Sequence, residues 1–118
     1  MRFPKMNFHT HTTYCDGKES VESMIQAAIV KDFVRLGFSG HVFNDFRPED
    51  QDIWCMSPER TQKYIEEVRM MAEKYKDRID ILCGIEQDFF FGERLFFAVD
   101  ELIGFVTFAR KQNDIAFF

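Results

Sequence analysis

Residues 5–29 read KMNFHTHTTYCDGKESVESMIQAAI, and this stretch decides the fold. Residues 5–8 predict a short β-strand, and Asp16-Gly17 marks a turn in the loop that follows. Ser20 is the expected N-cap of a helix. Apolar residues then recur at the spacing i, i+3, i+4, i+7 and i+8, which is the pattern of one buried helical face. The stretch therefore predicts one β-α unit.

A second β-α unit follows along the chain. Residues 34–39 predict a strand that ends in Gly40-His41, and a polar loop leads to the next helix. The start of that helix is marked by Ser57 as N-cap, by Pro58 at its first position and by Glu59 in its first turn.

Residues 79–85 predict a third strand, which we expect to end at Glu86, and residues 102–108 are a candidate fourth strand. The order β-α-β-α-β is typical of parallel strands joined by helical crossovers. The sequence therefore predicts an α/β fold.

Composition limits the classes of function. The chain has 118 residues, the size of one domain, and a formal net charge of −5 without a cluster of Lys and Arg, which argues against nucleic acid as a partner. No apolar run reaches the length of a membrane span. The three cysteines are far apart in the sequence, so we do not expect a disulfide framework. We expect the protein in the reducing cytoplasm. The cysteines are Cys15, Cys55 and Cys83.

Five side chains of metal-ligand type lie at or near the predicted strand ends. His9 and His11 follow strand 1 and Asp16 lies in the loop after it, while His41 closes strand 2 and Glu86 closes strand 3. The C-terminal ends of parallel strands open onto one face, where these side chains are expected to converge. Imidazole and carboxylate suit zinc, manganese and iron. The pattern therefore favours a shared metal site.

Each residue alone has a simpler explanation. His41 is compatible with a turn or core histidine, and Cys15 is better explained as a partly buried thiol than as a ligand. Arg47 is a weak candidate for binding a substrate phosphate through its fork of donors. A surface arginine paired with Glu49 or Asp50 explains it more simply.

Three segments resemble the motifs of PHP (polymerase and histidinol phosphatase) domains. They are residues 7–17 (NFHTHTTYCDG), residues 36–41 (LGFSGH) and residues 84–86 (GIE), in the family's order. Residues 54–59 (WCMSPE) are similar to a loop of the histidinol-phosphatase branch. The resemblance covers about residues 5–88.

The resemblance implies a seven-stranded (β/α) barrel, of which this chain would be the N-terminal part, with about three to four parallel strands and two crossover helices. It also implies two or three divalent metal ions, zinc, manganese or iron. His9 and His11 would bind one metal, Glu86 would bridge it to a second, and Asp16 and His41 would help to hold a third.

The implied reaction is hydrolysis of L-histidinol phosphate to L-histidinol and phosphate, a step of histidine biosynthesis. A hydroxide held by the metals would be the nucleophile, and no side chain is assigned as catalytic. The expected partner is a small phosphorylated substrate, with neither nucleic acid nor membrane involved.

The match is good over residues 1–88, whereas residues 89–118 form a divergent tail that holds nine of the fifteen phenylalanines. Thr107 stands where the family has a histidine, and threonine does not replace imidazole as a strong ligand. Later strands of the family, with an Asp-x-His motif, have no counterpart. We therefore expect little or no hydrolysis from a chain of this length, and self-association through an open sheet edge.

Two other functions remain open. One is a non-catalytic partial barrel that binds metal or a partner chain. The other is an amidohydrolase-type enzyme, which also carries His-x-His after its first strand. The carboxylates of Asp16 and Glu86, together with His41 so early in the chain, favour the PHP pattern.

Overall fold

A computed structural model of the protein describes residues 3–43, 48–90 and 102–109, the last strand and residues 89–90 by their backbone alone. The elements are β1 (Lys5–Thr10), α1 (Val21–Val30), β2 (Phe33–His41), a short 3-10 turn (Pro48–Asp50), α2 (Pro58–Lys74), β3 (Asp80–Phe90) and β4 (Leu102–Ala109). The α/β class expected from the sequence is confirmed.

Both helices begin where their sequence signals predict. The Ser20 hydroxyl accepts a hydrogen bond from the Ser23 backbone N–H at 3.1 Å, which caps α1. The Ser57 hydroxyl accepts one from the Arg60 N–H at 3.2 Å, and Pro58 occupies the first turn of α2. These caps satisfy N–H groups that have no partner within the helix.

The sheet is open, with the strand order β1-β2-β3-β4. Strands β1, β2 and β3 are parallel, as expected for a partial barrel of the PHP type, but β4 runs antiparallel to β3. Only residues 91–101 connect β3 to β4, which is fewer than the dozen or more residues of a usual parallel crossover and favours the antiparallel arrangement. Of the expected three to four parallel strands, the described ranges therefore contain three.

The main hydrophobic core lies between the sheet and the two helices. Phe38 of β2, Ile25 of α1 and Val68 of α2 are completely buried in it. Burial of such side chains contributes about 1.5–3 kcal/mol each. The end of β2, which follows Phe38, is thus supported by a packed core.

Tyr64 joins α2 to the two central strands. Its buried hydroxyl accepts from the Gly40 N–H at 3.1 Å and donates to the Gly84 carbonyl at 2.6 Å. A Cβ on Gly40 would lie 2.9 Å from Met56 Cε and 3.4 Å from the Tyr64 ring, so glycine makes room for this approach. The contact fixes the backbone next to His41.

Several expectations concern the chain outside this core. Within the described ranges, no helix is both long and apolar enough to cross a bilayer. All three cysteines are free thiols. Arg47 and most of the Phe-rich tail lie outside the described residues. β1 and β4 are the edges of the sheet, and self-association through either edge stays a prediction.

Candidate metal centre

His9, His11 and Glu86 converge at one corner of the sheet. His9 lies near the end of β1 and His11 two residues later, while the β2–β3 register pairs Glu86 with His41. His9 Nε2 is 2.5 Å from Glu86 Oε1, and His11 Nε2 is 3.3 Å from the same oxygen. Ligand atoms of the three residues lie within 4.8 Å of one another.

The chemistry of this group fits a divalent cation. Glu86 is buried, and its Oε1 has no hydrogen-bond partner among the described residues, despite the short approach of His9 Nε2. A buried carboxylate oxygen whose close neighbours are imidazole nitrogens outside hydrogen-bond geometry is costly. Two imidazole nitrogens and a carboxylate oxygen within 4.8 Å of one another are a usual donor set for zinc, manganese or iron.

A second group lies next to the first. His41 Nε2 is 3.4 Å from Asp16 Oδ2, and His11 Nδ1 is 3.3 Å from Asp16 Oδ1. A neutral imidazole has a single lone pair, so a His11 that binds a cation through Nε2 presents Nδ1–H to Asp16. His41 Nε2 and Asp16 Oδ2 then remain as ligand atoms, and Glu86 Oε2 lies 3.3 Å from His41 Nδ1.

The sequence prediction missed Asp88. Its side chain is fully buried, and its Oδ2 is 2.6 Å from His41 Nδ1. The strand does not end at Glu86 as expected, because pairing with β4 extends β3 to Phe90. Glu86 and Asp88 are two residues apart in the same strand, so their side chains point to the same face. The Glu-x-Asp spacing was the sequence signal that could have identified Asp88.

Asp88 also controls the charge of His41. Burial lowers the pKa of His41, but the hydrogen bond and charge of Asp88, with the charges of Glu86 and Asp16, outweigh it and raise the pKa to about 9. Without a cation, His41 is accordingly protonated at neutral pH. A cation that binds at Nε2 of His41 must displace the proton on that nitrogen. The Nδ1–H group still donates its hydrogen bond to Asp88, and such a bond orients metal-bound histidines.

Other residues surround these groups. The His11 and His41 rings lie with centroids 4.5 Å apart, and the Trp54 ring stands edge-on to His41 at 5.2 Å. Cys15 is half-buried, with its sulfur 3.4 Å from His11 Nδ1. Arg47, the candidate for substrate binding, falls outside the described residues.

We expect Gly17→Ala to disturb the loop that carries Asp16. A Cβ on Gly17 would lie 2.6 Å from the carbonyl carbon of His11 and from the backbone nitrogen of Thr12, so the backbone has to move. Overpacking of this kind costs about 1–3 kcal/mol. Urea unfolding in the presence of chelator should show a lower free energy of unfolding, and titration with Mn²⁺ should show a lower affinity. The neighbouring Lys18→Ala should change neither quantity. Wild-type stability and Mn²⁺ affinity in Gly17→Ala would contradict this geometry.

An open, mainly parallel sheet with imidazoles and carboxylates clustered at the C-terminal ends of its parallel strands is typical of metal-dependent α/β proteins with a barrel-type site. The PHP domain model matches residues 7–117, and the chain belongs to the PHP family, which is metal-dependent.

A solved structure supports the same assignment. It is that of hisK from Listeria monocytogenes, a protein described provisionally as a histidinol phosphatase. The two are 25% identical with a TM-score of 0.66, and the match covers 78% of this chain and 38% of that one. The chain thus spans well under half the length of this relative. No curated protein matches the sequence.

Proposed function

We propose that this chain provides the metal-binding part of a phosphomonoesterase. The observation that carries the proposal is the Glu86 carboxylate, which faces His9 and His11 with one oxygen and His41 with the other. Divalent metals held there would supply a water activated at neutral pH and would stabilise negative charge on the phosphate.

The remaining side chains set the charge and orientation of the centre. The three carboxylates Asp16, Glu86 and Asp88 carry three negative charges, and two divalent cations would carry four positive ones, leaving a net positive site for an anionic phosphoester. Asp88 holds the His41 ring so that Nε2 faces Asp16. Buried groups with fixed orientation need no rearrangement when negative charge develops.

The proposed substrate is a small phosphorylated metabolite, L-histidinol phosphate by similarity to the Listeria protein. Its hydrolysis would give L-histidinol and phosphate in histidine biosynthesis, in the cytoplasm. The family match and the ligand set support phosphoester hydrolysis, and the provisional title of the relative supports the choice of substrate. We propose no nucleic-acid or membrane partner.

We expect the purified chain to release little phosphate from L-histidinol phosphate, and that only with added Mn²⁺, Zn²⁺ or Fe²⁺. His9→Ala should reduce the rate to that of buffer, while Lys63→Ala on an exposed part of α2 should leave it unchanged. The assay measures inorganic phosphate against a panel of other phosphomonoesters. Equal rates with chelator and with metal would refute the proposal, and faster release from another phosphomonoester would refute the choice of substrate.

A second candidate function is metal binding without turnover. It is favoured by the sequence of β4, since residues 102–109 (LIGFVTFA) contain no histidine or carboxylate, and Thr107 pairs with Ile85, the residue before Glu86. Stoichiometric metal binding without any phosphate release would support this candidate over the phosphatase.

A further inference from the structure

Arg60 occupies an unusual position for a cation. It lies in the first turn of α2, where the helix dipole disfavours positive charge. Its side chain reaches the loop between β1 and α1, where Nε donates to the Tyr14 carbonyl at 2.8 Å and Nη2 to the Thr13 carbonyl at 2.9 Å. The guanidinium also stacks over the Tyr14 ring at 5.8 Å.

The loop held by Arg60 is the one that carries Asp16. The Asp16 side chain is 47% exposed, so burial does not hold it in place. Its position follows from the backbone, in which the Thr12 carbonyl accepts from the N–H groups of Cys15 at 3.1 Å and Gly17 at 2.9 Å. The side chain of Arg60 links this turn to α2 through its hydrogen bonds to the Thr13 and Tyr14 carbonyls.

We propose that Arg60 is a positioning residue for the second metal position, that of Asp16 and His41. Its planar fork binds two consecutive carbonyls and sets the loop so that Asp16 faces the His41 ring. A lysine offers a point charge and does not reproduce the fork. The inference rests on the proposed metal centre and adds to it a residue whose side-chain hydrogen bonds, in the part of the chain that the structure describes, go to loop carbonyls.

The first metal position should not depend on Arg60. His9 and Glu86 lie on strands, and His11 follows directly after β1, so this group is fixed by the sheet. A merely structural Arg60 would lower stability and leave both metal affinities unchanged. A positioning Arg60 lowers the affinity of the second position alone, and it does so through Asp16.

The test is a double-mutant cycle read by Co²⁺ binding. Wild type, Arg60→Lys, Asp16→Asn and the double variant are titrated with Co²⁺, and the visible absorption of the bound ion reports each coordination step. We expect Arg60→Lys to weaken the second step by about 10-fold, the lower end of the loss that follows removal of a group bonded directly to a metal ligand. The double variant should be no weaker than Asp16→Asn, because the two residues act together.

The controls separate the outcomes. Lys63→Met on the same helix should titrate like wild type, and circular dichroism should show each variant folded at the titration temperature. If Arg60→Lys does not fold, Arg60→Gln, which keeps one donor, takes its place with the same expectation. Unchanged second-step affinity in the Arg60 variant, or losses that add to those of Asp16→Asn, would overturn the inference while leaving the metal centre intact. A wild type that binds a single Co²⁺ would also overturn it, and one that binds none would refute the proposed function itself.

Discussion

Glu86→Gln should lose metal from both positions, and this is the largest effect that we expect from any substitution. The change keeps the shape of the side chain but removes the charge that faces His9, His11 and His41. The fall in affinity should exceed the roughly 10- to 100-fold loss that follows removal of an outer-shell partner. Calorimetric titration with Mn²⁺ or Zn²⁺, with elemental analysis of the dialysed protein, measures it.

His9→Ala should affect the first position alone, which distinguishes the two substitutions. Glu73→Gln is the matched control, because Glu73 is an exposed glutamate of α2 that pairs with Lys76 beyond the helix end. Wild-type metal content in both Glu86→Gln and His9→Ala would show that the ligands have been assigned wrongly.

Asp88→Asn should have the next largest effect, on the charge of His41. Asp88 is the strongest of the groups that raise the pKa of His41 to about 9, and in its absence burial favours the neutral ring. We expect the pKa of His41 to fall clearly below its wild-type value. Trp54 is the single tryptophan and contacts His41, so its fluorescence, which a protonated imidazole quenches, reports the titration in protein stripped of metal.

The same substitution should change how stability depends on pH. The folded-state pKa of His41 lies above its unfolded value near 6.5, so protonation stabilises the metal-free fold. This contribution, of order 1–3 kcal/mol, is fully present below pH 6.5 and is lost as the pH rises through about 9. Urea unfolding across this range should show a decline in wild type and a flatter profile in Asp88→Asn. An unchanged pKa and profile in the variant would contradict the role given to Asp88.

Much of the scaffold was predictable because its signals are local. Ser20 and Ser57 are N-cap residues that predict the helix starts, and the spacing of apolar residues predicts the buried helix faces. The direction of β4 was not predictable in this way. It depends on how far pairing with β4 extends β3, because that extension leaves only residues 91–101 for the connection, and strand pairing is a tertiary property.

In the candidate site, too, some residues were predictable from the sequence and others were not. Three of the five expected ligands stand at strand ends or just after them, namely His9, His11 and His41, and the β2–β3 register places Glu86 opposite His41. Asp88 was missed because β3 was expected to end at Glu86, so its alternation with that residue was not considered. Arg60 was missed for a deeper reason, since no sequence pattern connects a residue of α2 to carbonyls 46 and 47 positions earlier.

The central claim is that His9, His11 and Glu86 bind one metal ion, and X-ray diffraction at a metal absorption edge tests it most directly. In crystals grown with Zn²⁺ or Mn²⁺, we expect an anomalous peak about 2.0–2.2 Å from His9 Nε2, His11 Nε2 and a Glu86 carboxylate oxygen. Absence of a peak between these three atoms in a metal-saturated crystal would contradict the account.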